Sequence, residues 1–185
     1  MGVTIDERNL RFHFSDLWSR VKRYDDHPDY RGAMQKLQGT SALDFVAIQG
    51  EDGPLFLIEV KDYRSLPIKD QEDILNGDLP AKVGRKVRDT IAGIIAAHHR
   101  GRSDEWATVI KRMTSPDPSI RVLLWIESDF PAGPDGRPDL RLSVLTKGLK
   151  RQLRWLTPQV LVVSLASNWV PEGLTVIDLR GKVQD

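Results

Sequence analysis

Asp44, Glu59 and Lys61 are the residues of this chain whose types and spacing could do chemistry. Glu59 and Lys61 lie inside the apolar run Leu55-Phe56-Leu57-Ile58-Glu59-Val60-Lys61, and Asp44 sits near the head of a second one, Leu43-Asp44-Phe45-Val46-Ala47-Ile48. Charge set among Leu, Ile, Phe and Val is costly unless it is paired or has a task. Two carboxylates and an ammonium converging on one place suit a hard divalent cation and a phosphate group. Carboxylate oxygens bind Mg²⁺, and the ammonium serves the attacking water or the developing charge. The set therefore points to metal-assisted phosphodiester hydrolysis. An acid-x-Lys string arises by composition alone roughly once in a chain of this make-up, so its apolar context carries the weight. The competing reading is a cross-strand ion pair on an edge strand, with no chemistry.

The elements that must position these groups are legible around them. Both runs are short and rich in β-formers, and Gly50-Glu51-Asp52-Gly53-Pro54 between them reads as a hairpin loop. Side chains alternate along a strand, so Glu59 and Lys61 share a face with Leu57, while Phe56, Ile58 and Val60 point the other way. Asp44 is then expected across the hairpin from that pair. Upstream, the spacing predicts a helix from about Arg8 to Tyr24, broken at His27-Pro28, and a short helical piece near Tyr30 to Leu37. Downstream, Val83, Val87, Ile91, Ile94 and Ile95 mark one face of a helix over 81–100. Buried strands are expected at 120–126 and 160–165, a last one at 174–177, and a turn at 129–136. A basic helix covers 141–154, with an apolar stripe of Leu145, Leu149, Leu153 and Leu156. Helices alternating with short apolar strands give an α/β fold on a mixed sheet, in one domain over 1–185.

At Asp44, Glu59 and Lys61 the chain resembles the PD-(D/E)XK nuclease superfamily. That pattern is an Asp heading one core strand, a variable hairpin, an acid-x-Lys triplet on the next strand, and then a helix. Leu43 stands where the nominal motif has Pro, as in many members. The resemblance covers roughly residues 40 to 127 and implies a restriction-endonuclease-like αβββαβ core, a mixed central sheet flanked by helices. It also implies a Mg²⁺- or Mn²⁺-dependent DNA endonuclease leaving a 5′-phosphate and a 3′-hydroxyl. Asp44, Glu59 and the Val60 carbonyl would hold the metal, and Lys61 would position or deprotonate the attacking water. Many relatives add an acid from an early helix; among Glu7, Asp16, Asp25 and Asp26, Asp25 is the leading candidate. Duplex cutters of this kind frequently work as homodimers.

Net charge is only +1, so attraction to nucleic acid has to come from the distribution of charge. Lys82, Arg85 and Lys86 open the helix after the hairpin, Lys150 and Arg151 lie on the basic helix, and Arg64 follows Lys61 closely enough to touch substrate. These are the candidate nucleic-acid contacts, with DNA as the expected partner and RNA not excluded. A solvated helix face is the alternative for both basic stretches. Adjacent His98 and His99 point about 100° apart on a helix and do not face one metal, and Trp18 and Trp125 read as core. Cysteine is absent, which excludes disulfides and thiolate-held zinc. The early charges Asp6, Glu7 and Arg8 do not suit a secretory leader, and no apolar run reaches membrane-spanning length. A cytoplasmic protein without membrane contact is expected. The second functional reading is a non-catalytic nucleic-acid-binding or interaction module that keeps the nuclease fold.

Overall fold

Apolar side chains at every second position, Leu10, Phe12 and Phe14, make a strand inside the region 8–24 where helical spacing predicts a helix. The computed structural model describes residues 1–64, 66, 74, 77–101, 104–115, 120–129 and 140–181. Most of the turn at 129–136 and of the connection from 62 to 80 lies outside them. The first three elements are strands: β1 (Val3–Glu7), β2 (Leu10–Phe14) and β3 (Trp18–Arg23). Phe14, Leu17, Trp18 and Val21 mimic helical spacing because β3 carries a bulge. Its pairing with the next strand shifts between Ser19 and Lys22, and Arg20 takes a φ of 53°. The extra residue reverses the alternation of faces, so Trp18 and Val21 join one core and Tyr24 the other.

A short α1 (Pro28–Arg31) and a turn of 3₁₀ helix at Met34–Lys36 lead to β4 (Phe45–Gln49) and β5 (Leu55–Asp62). Then follow α2 (Leu79–His99), α3 (Ala107–Met113), β6 (Ile120–Glu127), α4 (Leu140–Leu153), β7 (Val160–Val163) and β8 (Leu174–Asp178). Five strands form a mixed sheet in the order β3-β4-β5-β6-β7. The meander β3-β4-β5 is antiparallel, and β6 and β7 run parallel to β5. A second, antiparallel sheet has the order β1-β2-β8, so β7 completes the main sheet while β8 leaves it.

Both faces of the main sheet are covered, which is why β4 and β5 read as nearly unbroken apolar runs. On one face Val46, Ile48, Leu55, Leu57, Val122 and Leu124 pack against Val83, Val87 and Ile94 of α2 and Leu145, Leu149 and Leu153 of α4. On the other, Phe45, Phe56, Ile58 and Trp125 meet Leu10, Phe12, Phe14 and Leu174 of the small sheet. The layers are thus helices, five strands, three strands. Trp18 and Trp125 are core residues, as expected. No helix among the described residues is long and apolar enough to cross a membrane.

Phe12 joins the two sheets: it is fully buried, with ring centroids 5.4 Å from Phe45 and 5.5 Å from Trp125. Phe12→Ala should lower the unfolding free energy in urea by about 3–5 kcal/mol. A loss under about 1 kcal/mol would mean that the small sheet does not close this core.

Candidate active site

Asp44 stands one residue before β4, and the pairing of Phe45 with Ile58 places it opposite Glu59. Four hydrogen bonds hold this segment. The Val60 amide donates to Asp44 Oδ2 at 2.6 Å and the Tyr24 amide to the Asp44 carbonyl at 2.8 Å. Just upstream, the Ser41 amide donates to Asp89 Oδ2 and the Leu43 amide to Thr90 Oγ1. Asp89 and Thr90 belong to α2, so the helix that covers the sheet also fixes the approach to Asp44.

The three predicted groups meet on the helix-covered face. Glu59 has no exposed surface, and Lys61 Nζ lies 2.7 Å from its Oε1. Lys86, expected on the nucleic-acid surface, instead reaches down from α2 to the same oxygen, also at 2.7 Å, and lies 4.0 Å from Asp44 Oδ1. Glu59 Oε2 is buried and has no hydrogen-bond partner. Burial and the neighbouring Asp44 raise the Glu59 carboxyl above its ordinary range, against the pull of Lys61 and Lys86. Burial opposes the charge of Lys86, but Glu59, Asp44 and Asp25 outweigh it and hold the ammonium above its usual value.

Two of the early acids also belong here, though they come from strand ends and not from a helix. Asp25 follows β3 and Glu7 ends β1; Arg23 pairs with both. Burial raises each carboxyl, and the charge of Asp44 raises it further. Asp16 is exposed, and Asp26 pairs with Arg31. The sequence carried a signal for Lys86: Leu79, Val83, Lys86, Thr90, Gly93 and Ala97 follow alternating steps of four and three, the spacing of a helix's buried stripe.

Arg64 is the clear correction. It is buried, donates to both carboxylate oxygens of Asp62 at 2.8 Å, and reaches Asp178 of β8 at 2.6 Å. Asp62 is three residues from Glu59, so alternation sends it to the opposite face, toward the small sheet. Arg64 therefore ties the two sheets together and does not line the site. Of the other basic candidates, Lys82, Arg85, Lys150 and Arg151 are all exposed.

No three His, Cys, Asp or Glu side chains among the described residues already form a metal-holding group. The donor chemistry nevertheless fits Mg²⁺ or Mn²⁺: facing carboxylates, one with a buried oxygen lacking a partner, supply the hard oxygen ligands such ions take. Val60 turns its side chain to the aromatic core and gives its amide to Asp44, which leaves only its carbonyl as a ligand group.

The Arg64 assignment has a pH signature. Burial works against the charge of Asp62, but the hydrogen bonds from Arg64 outweigh it and hold the carboxyl below its ordinary value. Its stabilising contribution is complete above the ordinary carboxylate range near pH 4 and is lost as pH falls through the depressed value. Arg64→Met should thus cost about 3–5 kcal/mol at pH 7. The gap in urea midpoint from the wild type should narrow on acidification, and a gap unchanged down to about pH 2 would exclude Asp62 as its source.

Comparison with known proteins adds one likeness. The chain is 27% identical over 151 residues to the cysteine-tRNA ligase of Neisseria meningitidis serogroup A / serotype 4A (strain DSM 15465 / Z2491). The match takes in 68% of this chain, which spans 21% of that relative's length. No family model matches the chain, and no solved structure does.

Proposed function

We propose that this protein is a Mg²⁺- or Mn²⁺-dependent phosphodiesterase that cuts DNA. The observation that carries the proposal is the meeting of Asp44, Glu59 and Lys61 at one point on the helix-covered face, with the Lys61 ammonium 2.7 Å from Glu59. The resemblance to the PD-(D/E)XK superfamily supports the same reading. So does the order of elements from β3 to β6: three antiparallel strands, with the short α1 between the first two, then α2 and α3 and a parallel strand, an order like the βββαβ part of that core with a second helix added. The leading helix of the αβββαβ pattern has no counterpart, since β1 and β2 stand there.

In this reading Asp44, Glu59 and the Val60 carbonyl would hold the ion, and Asp25 or Glu7 would offer it a further carboxylate oxygen. A bound divalent ion supplies Lewis acidity at the scissile phosphate. Lys61 orients the attacking water through its ammonium or, as the neutral amine, takes the water's proton; the leaving 3′-oxygen departs in line and is protonated by solvent. The β4/β5 pairing and the Val60 amide keep Asp44 fixed, so little reorganisation is needed on substrate binding.

The helical layer supports nucleic acid as the substrate. A Cβ built on Gly84 would lie 3.2 Å from Gln152 Cβ, and one on Gly148 only 2.8 Å from Pro80 Cγ, so α2 and α4 abut at those glycines. Lys82 and Arg85 of α2 and Lys150 and Arg151 of α4 are thus carried on two adjoining helices. As in the family, cutting both strands of a duplex calls for two copies of the site. A cysteine-free chain suits the cytoplasm, where such a substrate lies. A second reading, a binding module that keeps the architecture without cleavage, is favoured by one observation: Lys86 already neutralises Glu59.

Plasmid cleavage in Mg²⁺ or Mn²⁺ separates the two. Lys61→Ala should slow cutting by roughly 10²–10⁴-fold. Asp44→Asn should abolish it while keeping an oxygen for the Val60 amide; Asp44→Ala removes that acceptor and should cost about 1–3 kcal/mol of stability as well. Cleavage by Asp44→Asn protein at the wild-type rate would end the proposal, and tight DNA binding without metal-dependent cutting would favour the second reading. Replacing Lys82, Arg85, Lys150 and Arg151 by Gln should flatten the salt dependence of duplex binding, by about 0.9 in the log–log slope for each phosphate that is no longer neutralised. An unchanged slope would remove these residues from the interface.

A further inference from the structure

We infer that Lys86 is a built-in counter-cation that occupies the space between Asp44 and Glu59, so that a divalent ion must displace it to bind. The inference deepens the proposal above and rests on its metal site. Lys86 lies on the buried stripe of α2, between Val83 and Thr90, where an ammonium is costly without opposite charge close by. It finds that charge at 2.7 Å from Glu59 Oε1 and 4.0 Å from Asp44 Oδ1. Lys61 takes the same Glu59 oxygen, so two ammonium groups share one acceptor while Oε2 is left buried and without a partner. That unsatisfied oxygen is a second, independent sign that a ligand belongs there.

Charge counting gives the competition its sign. The carboxylates of Asp44, Glu59, Asp25 and Glu7 and the cations Lys61, Lys86 and Arg23 sum to one negative charge. A divalent ion added with both lysines in place would reverse that to one positive charge in a largely buried site, and the departure of Lys86 would bring it to zero. Lys61 is held to the same strand as Glu59, whereas Lys86 comes from a different element and stands between the two carboxylates, where the ion would sit. Both lysine side chains are 21% exposed, so a path to solvent exists for Lys86, and its position between the carboxylates is what sets it apart. Lys86 is therefore the cation that leaves, and once released it can meet the anionic substrate. It acts as a positioning residue that sets how tightly the site holds its ion, in place of the surface contact expected from the sequence.

Titration calorimetry with Mn²⁺ on the whole protein tests this, alongside thermal unfolding of the metal-free form. Lys86→Met should bind Mn²⁺ about tenfold or more tightly than wild type. Its metal-free form should unfold at a lower temperature than wild type and gain more from added Mn²⁺. Lys86→Arg, which keeps the charge, should stay near the wild-type affinity, and Lys86→Gln repeats the neutral test should the Met protein fail to fold. A folded neutral variant that binds Mn²⁺ no more tightly than wild type overturns the inference and leaves the metal site standing. If wild type and Lys86→Met both lack saturable Mn²⁺ binding that Asp44→Asn abolishes, the inference falls together with the site it rests on.

Discussion

A carboxylate with no exposed surface, in the middle of a β-sheet, is the constraint around which this molecule is arranged. Glu59 is kept by two ammonium groups at 2.7 Å, one from its own strand and one from the helix above. Neither alone balances the field of Asp44, which the antiparallel register places directly opposite. Three alignments must hold together: the pairing of β4 with β5, the seating of α2 on the sheet, and the rotation of α2 that turns Lys86 inward. A slip of one residue in β5 would send Glu59 into the layer of Phe12, Phe45 and Trp125 and leave Lys86 buried without a partner. The charges therefore act as a register lock as well as a site.

The two faces of the main sheet divide the labour. The face toward the small sheet is aromatic and closed, and its edge is stitched by Arg64 to Asp62 and Asp178. The face toward the helices is aliphatic over most of its area, with Asp44, Glu59 and Lys61 set together within it. Because the small sheet shields one side of β5, the acidic side chains have a single direction in which to look, and α2 governs access from it. The same helix holds the segment before Asp44 through Asp89 and Thr90. One element thus supports the first carboxylate from behind and neutralises the second from above.

Much of this was legible along the chain. The hairpin, the helix after it, the strand at 120–127 and the basic helix follow from apolar periodicity and turn residues, and the structure has them within a residue or two. The facing of Asp44 and Glu59 was also within reach, since the pleat alternates strictly and the intervening loop is short. The region before residue 24 misled because local pattern and real structure diverged at one point. Leu10, Phe12 and Phe14 alternate as a strand should, but the bulge at Arg20 reset the alternation and let the later residues imitate a helix.

Side chains two residues apart on a strand share a face whatever the rest of the protein does, and a pleat repeats without knowledge of its neighbours. For that reason the sequence by itself determined that Asp44, Glu59 and Lys61 lie together on one side of a hairpin. Contacts between distant elements depend on how a helix rotates and seats on a sheet, which is set by packing across the whole layer. Only the tertiary structure decided that Lys86, 27 residues from Glu59, enters the site. The same packing turned Arg64 away to join Asp62 and Asp178, brought Glu7 and Asp25 near Asp44, and set the two basic helices side by side.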